Sequence, residues 1–240
     1  MIEVEWLGRL DYQVAWQRQK DLVAEREGAD GPAALPDKLL LLEHPPTYTL
    51  GRRGHLGNLL WDEAERKRRG IAVYWVDRGG DVTYHGPGQL VGYPILDLRR
   101  LHSEQRGLAR PDLRLYLRQL EETLIRALAV FKVDAYRYPG YTGVWVETAA
   151  GPRKIAAIGV KVSGQGVTSH GFALNVAPDL SHFAGIVPCG IHEHGVTSLA
   201  EMIGEGLSIT TVLPAVANAF RQTLGVEVRF VTPPHSTYNE

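Results

Sequence analysis

The 240-residue sequence predicts an α+β fold. Two observations carry that expectation. Short apolar runs are interspersed with a few helical segments, without a regular strand–helix–strand repeat, which points to layered sheets and helices. Hydrophobic residues make up 44% of the chain and charged residues 22%, an ordinary balance for a globular chain long enough to bury a substantial core. No repeat, low-complexity linker or composition break divides it, so residues 1–231 are predicted to form a single domain and 232–240 a frayed tail.

Residues 11–27 place Val14, Ala15, Leu22 and Val23 at helical spacing among many charges, the pattern of an amphipathic helix. After a Gly/Pro/Ala loop, Lys38-Leu39-Leu40-Leu41-Leu42-Glu43 reads as a short buried strand stopped by Pro45-Pro46. Residues 64–69 read as a charged helical piece closed by Gly70, and 71–76 as a second strand. A polar, glycine-rich loop is expected over 77–89 and a third strand over 90–98. The most regular helix spans 113–131, with Leu117, Leu120, Leu124 and Leu128 on its apolar side. Residues 143–146 and 155–162 look like paired strands around a glycine-bearing turn, and 169–176 like another strand. A loop over 188–201 leads into a helix. The chain closes with a helix over 211–224 and a strand over 226–231.

A formal net charge of −1 gives no reason to expect nucleic-acid binding through bulk electrostatics. No apolar run approaches the ~18 residues of a membrane span. Met1-Ile2-Glu3-Val4-Glu5-Trp6 lacks the basic and apolar regions of a secretory signal. With one cysteine, no internal disulfide is available, and the expected compartment is the reducing cytoplasm.

That cysteine, Cys189, lies between Pro188 and Gly190. Buried filler, metal ligand and nucleophile are the open readings. Proline fixes φ on one side and glycine permits unusual backbone angles on the other, a setting able to hold a sulfur at a pocket surface. Cys189, His192 and His194, with Glu193 between them, also make a possible zinc cluster, but a second ligand pair at typical spacing is missing.

The densest polar stretch is Arg78-Gly79-Gly80-Asp81-Val82-Thr83-Tyr84-His85-Gly86-Pro87-Gly88-Gln89. Four glycines and a proline in twelve residues demand special backbone geometry, either a large surface turn or main chain brought close to a ligand. It lacks the Lys-Ser or Lys-Thr pair of a P-loop. Lys154 opens an apolar stretch and is either a solvated edge charge or a desolvated amine able to take a thiol proton; Lys161 competes for that role. His170, beside Gly171, is a weaker candidate for shaping a pocket.

Several ordered stretches together resemble the octanoyltransferases of lipoate biosynthesis. They are His44-Pro45-Pro46-Thr47-Tyr48-Thr49-Leu50-Gly51-Arg52-Arg53-Gly54, the whole 78–89 loop, Lys154-Ile155-Ala156-Ala157-Ile158-Gly159-Val160, His170-Gly171-Phe172-Ala173-Leu174-Asn175-Val176, and Pro188-Cys189-Gly190-Ile191 with Val196-Thr197-Ser198-Leu199 beyond it. The resemblance implies a biotin/lipoate ligase-like catalytic domain with a mixed sheet flanked by helices. It implies that octanoyl passes from octanoyl-acyl carrier protein to a lysine of lipoyl domains, those of 2-oxoacid dehydrogenase E2 subunits and the glycine cleavage H protein, without cofactor or metal. It puts the acyl-thioester on Cys189 and the activating base on Lys154. Substrate contacts fall on Arg78, Gly79, Gly80, Asp81, Val82, Thr83, Tyr84 and His85, on Ala157, Ile158 and Gly159, and on Gly171, Phe172 and Ala173, with His170 in support. The turn over 163–168 departs from the family by about one residue. An apolar slot for the acyl chain is expected along Val82, Tyr84, Ile158 and Phe172. An ATP-dependent lipoate or biotin ligase and a non-catalytic carrier-binding module are the rival readings.

Overall fold

Ile2 and Val4 are buried on either side of the outward Glu3, and this alternation forms β1 (Ile2–Arg9), a strand absent from the sequence reading. The computed structural model describes residues 1–28, 35–107, 110–187, 194–204 and 206–231. After β1 come α1 (Tyr12–Gly28), β2 (Asp37–Glu43), β3 (Thr47–Leu50), α2 (Glu63–Arg68), β4 (Ala72–Trp75), β5 (Val82–His85) and β6 (Gln89–Ile95). The second half holds α3 (Leu98–Arg106), α4 (Leu113–Ala129), β7 (Ala135–Tyr136), β8 (Val144–Thr148), β9 (Gly151–Val162), β10 (Thr168–Asn175), α5 (Leu199–Ile203), α6 (Ile209–Leu224) and β11 (Val228–Phe230).

Eight of these strands form one mixed sheet in the order β11-β1-β2-β6-β10-β9-β8-β7. β1 runs parallel to both neighbours, and the remaining pairs are antiparallel. A small sheet, β4-β3-β5, stands apart. The leucine run of β2 is apolar throughout because both its faces are covered. Leu39 and Leu41 join α4 and α6 in the main core, while Leu40 and Leu42 meet Ala15 of α1 on the other face.

Helix ends follow their capping residues. Asp97 accepts from the backbone N–H of Arg99 and Arg100, and Gly107 closes α3 at φ 64°. Asp112 starts α4 in the same way, and Ser208 starts α6. Two expectations are corrected here. The strand predicted to 98 stops at Ile95 because the Asp97 cap begins a helix. The 77–89 loop contains β5, whose four residues pair with β3 despite their glycine flanks. The unusual 163–168 turn is closed by Ser163 Oγ, which accepts from the N–H groups of Gln165 and Val167.

Candidate active site

On the α1 face of the main sheet, β9 and β10 lay down a floor almost without side chains. Ala157 lies opposite Ala173, and Gly159 opposite Gly171, two residues further along. Alternation puts all four on one face. Above them opens a narrow cleft, walled by Arg78, Gly79, Gly80 and Thr83, by His85 with Tyr12 stacked on it, and by Tyr93 and His170. The two glycines are required by close approach. A Cβ on Gly171 would lie 2.1 Å from the Gly92 carbonyl oxygen, and one on Gly159 would lie 3.0 Å from that of Gly79.

Lys154 reaches this face through an irregularity in pairing. Val144 opposes Ala156, yet the next residue, Trp145, opposes Lys154, so Ile155 is an extra residue in β9. Ile155 and Ala156 both join the helix-side core. An unbroken ladder would place Lys154 on the same side as Ala156. The bulge turns it to the cleft face instead, the re-aiming that such irregularities perform beside active sites. Its side chain is 8% exposed, and Nζ lies 4.9 Å from the centre of the Trp145 ring.

The segment beyond Cys189 is tied to the same residue. Lys154 N–H donates to Gly195 O at 3.0 Å, and Thr197 N–H donates to Lys154 O at 3.0 Å. His194 packs edge-on against Trp145, the ring that Lys154 overlies. Before the cysteine, Val187 N–H donates to Asn58 O, Tyr48 donates its hydroxyl to His182 O, and the Tyr84 hydroxyl is hydrogen-bonded with His182 Nδ1. Cys189 itself lies outside the described residues, as do Gly190, His192 and Glu193, and with them most of the zinc reading. The expected tail over 232–240 lies outside them too.

Of the expected contact residues, Arg78, Gly79, Gly80, Thr83, His85, Ala157, Ile158, Gly159, Gly171, Phe172, Ala173 and His170 border the cleft. Asp81, Val82 and Tyr84 do not, and the slot drawn through Val82 and Tyr84 is corrected. Period-2 alternation in β5 sends Thr83 and His85 to the cleft and packs Val82 and Tyr84 against Tyr48, Leu50 and Ile186. Asp81 instead locks its own loop, accepting from Val82 N–H, His55 N–H and the Asn58 amide. Ile158 and Phe172 edge the cleft while packing with the helix-side core. Sequence reading missed Tyr12 and Tyr93, which lie outside the quoted motifs, Tyr93 four residues beyond the 78–89 stretch.

A buried relay joins the two halves of the site. Arg78 donates to Thr49 Oγ1, and Thr49 Oγ1 lies 3.4 Å from His85 Nε2. His85 Nδ1 then bonds Gln89 Oε1, Gln89 Nε2 donates to Asn175 Oδ1, and Asn175 Nδ2 donates to Thr197 O. Thr197 closes the path onto Lys154. The geometry fits a neutral His85, donating from Nδ1 and accepting at Nε2. Burial holds its pKa well below the usual value, with His44 nearby adding to the effect. Burial also lowers His44, to about 4.

These shifts set the response to acid. The unfolded chain protonates its histidines near pH ~6.5, whereas folded His44 and His85 stay neutral. Between there and pH ~4 the unfolded state binds more protons, so stability falls as pH falls, by up to about 1.4 kcal/mol per pH unit for each histidine. Asp77, held low chiefly by its bond from His170 and then by Lys161, gives up its contribution only as pH falls below the ordinary aspartate value. Melting temperatures should therefore drop from pH 7 to pH 5, and His85→Gln should flatten the slope. A constant melting temperature across that range would contradict the neutral relay.

Residues 11–221 match the lipoyl protein ligase A/B catalytic domain, and the chain belongs to that family. An octanoyltransferase of Rubrobacter xylanophilus is 47% identical over 91% of this chain and 91% of its own. One of Solibacter usitatus is 54% identical over 82% of this chain and 81% of its own. Within the family the chain therefore sides with the octanoyltransferases. A bipartite lipoate protein ligase from the lipoylation system of Thermoplasma acidophilum has a TM-score of 0.73 at 18% identity, covering 98% of this chain and 88% of that one. This likeness shows the expected mixed-sheet fold.

Proposed function

We propose that the chain moves an octanoyl group from an acyl carrier protein thioester to a lysine of a lipoyl domain, through a thioester on Cys189. The observation that carries this reading is the position of Lys154. It stands on the face of the small-residue floor, and its backbone bonds the segment just past the cysteine. Cys189 lies six positions before Gly195, a reach of at most about 21 Å.

In the first half-reaction the Lys154 amine takes the Cys189 thiol proton, and the thiolate attacks the carrier thioester carbonyl. A free thiol with a pKa near ~8.5 is only slightly ionised at neutral pH, so this activation matters. The carbon–sulfur bond to the pantetheine breaks, and the Lys154 ammonium returns the proton to the departing sulfur. In the second half the lipoyl lysine amine attacks the acyl-Cys189 carbonyl. Its amide forms, one amine proton is lost to Lys154, and Cys189 leaves as thiolate. One thioester replaces another in the first half, and an amide replaces a thioester in the second, so no nucleotide is consumed.

The acceptors are the lipoyl domains of 2-oxoacid dehydrogenase E2 subunits and the glycine cleavage H protein, and the reaction runs in the cytoplasm. Among the described residues no helix is long and apolar enough to cross a membrane. Purified protein, octanoyl carrier protein and a lipoyl domain should yield octanoylated domain without ATP. A strict ATP requirement would instead favour the ligase reading.

A further inference from the structure

The cleft floor starts at Ala157, three residues along β9 from Lys154, and its far end is crossed by another segment of the chain. That segment lies between β4 and β5. Gly79 crosses directly over β9, its N–H donating to Val160 O at 2.9 Å. Asp77, just before it, holds that crossing down with both carboxylate oxygens. Oδ1 accepts from His170 Nε2 at 2.8 Å and Oδ2 from Lys161 Nζ at 2.6 Å. Lys161 shares the face of Ala157 and Gly159, four and two residues back along β9.

The inner half of this clasp is rigid. His170 is 1% exposed and adopts a left-handed backbone, φ 56°. That conformation is uncommon for a residue with a side chain. Gln19 of α1 holds it by accepting the His170 N–H at 2.7 Å. Its ring sits between Trp16 and Tyr93. Bonding Asp77 through Nε2 fixes the tautomer with the proton on that nitrogen, since Nδ1 has no hydrogen-bond partner among the described residues.

We propose that Asp77, clasping His170 and Lys161, fixes the far end of the cleft and thereby sets the longest acyl chain it accepts. This rests on the acyl-transfer reading above. From Ala157 to Val160 the floor runs about 10 Å, at about 3.3 Å per residue, close to the length of an extended eight-carbon chain. A longer chain must lift Gly79 from Val160, which the clasp resists. Asp77 is thus a positioning residue: it acts on the wall of the cleft and touches no reacting atom.

The test offers wild type, Asp77→Ala and Lys161→Met an equimolar mixture of hexanoyl, octanoyl, decanoyl and dodecanoyl carrier protein. The acyl group on Cys189 is read by intact mass after a single turnover, and melting curves confirm that each variant is folded. Lys161 lies at the surface, 39% of its side chain exposed, so its variant probes the clasp without disturbing the core. Wild type should carry octanoyl almost alone, and both variants should raise the dodecanoyl-to-octanoyl ratio by about tenfold. An unchanged ratio in folded variants, with all lengths slowed equally, would overturn the role of the clasp. A wild type that acquires no acyl group would overturn the transfer reading itself, and the clasp's role with it.

Discussion

Replacing Lys154 with methionine is expected to slow octanoyl transfer by about a thousandfold, the usual scale for losing a positioned acid–base group. Methionine fills similar space against Trp145, and the backbone bonds to Gly195 and Thr197 do not depend on the side chain. The melting temperature should therefore change little. Arginine at the same position should be as damaging, because a guanidinium stays protonated and cannot accept the thiol proton. Alkylation of Cys189 by iodoacetamide separates this role from a structural one. In the variant the rate should follow pH as an ordinary thiol does, with the wild-type advantage at neutral pH gone. Near-normal turnover by the methionine variant would move the base elsewhere, to Lys161 or to water.

The second large effect is expected in the cleft floor. Ala157→Leu adds three carbons where the acyl chain must lie, directly opposite Ala173. Because Ala157 borders open space, the new side chain enters the cleft without displacing the core. Octanoyl and butanoyl transfer should both fall, octanoyl by at least about a hundredfold, since Ala157 lies at the Lys154 end of the floor, which every acyl chain must cross. An unchanged octanoyl rate in the folded variant would show that the acyl group does not lie along β9.

Much of the fold was legible because its strongest signals are local. The leucine run of β2, the periodic apolar face of α4 and the turn between β8 and β9 all appear in the sequence at the right places. β5 was hidden because four strand residues stand between glycines that read as loop. β1 carried a visible alternation in Ile2 and Val4, and a closer count of period-2 matches would have found it. The catalytic candidates were read from residue chemistry and from ordered motifs. Their arrangement was not. The extra residue at Ile155, which turns Lys154 to the cleft, depends on how β8 pairs with β9, and no local pattern encodes that register. A slot through Val82 and Tyr84 follows only if their motif faces a ligand as a whole. Once the segment is a strand, only every second residue can do so. The relay from Arg78 to Thr197 joins four separate motifs and is purely tertiary.

In the proposed mechanism one sulfur carries the acyl group. Mixing stoichiometric octanoyl carrier protein with the protein, quenching in acid before any acceptor is added, and mapping the peptides tests it most directly. The predicted result is a single octanoyl mass on the peptide containing Cys189, lost in Cys189→Ser and discharged on adding a lipoyl domain. An unmodified Cys189 peptide during ongoing transfer, or full turnover by the serine variant, would contradict it.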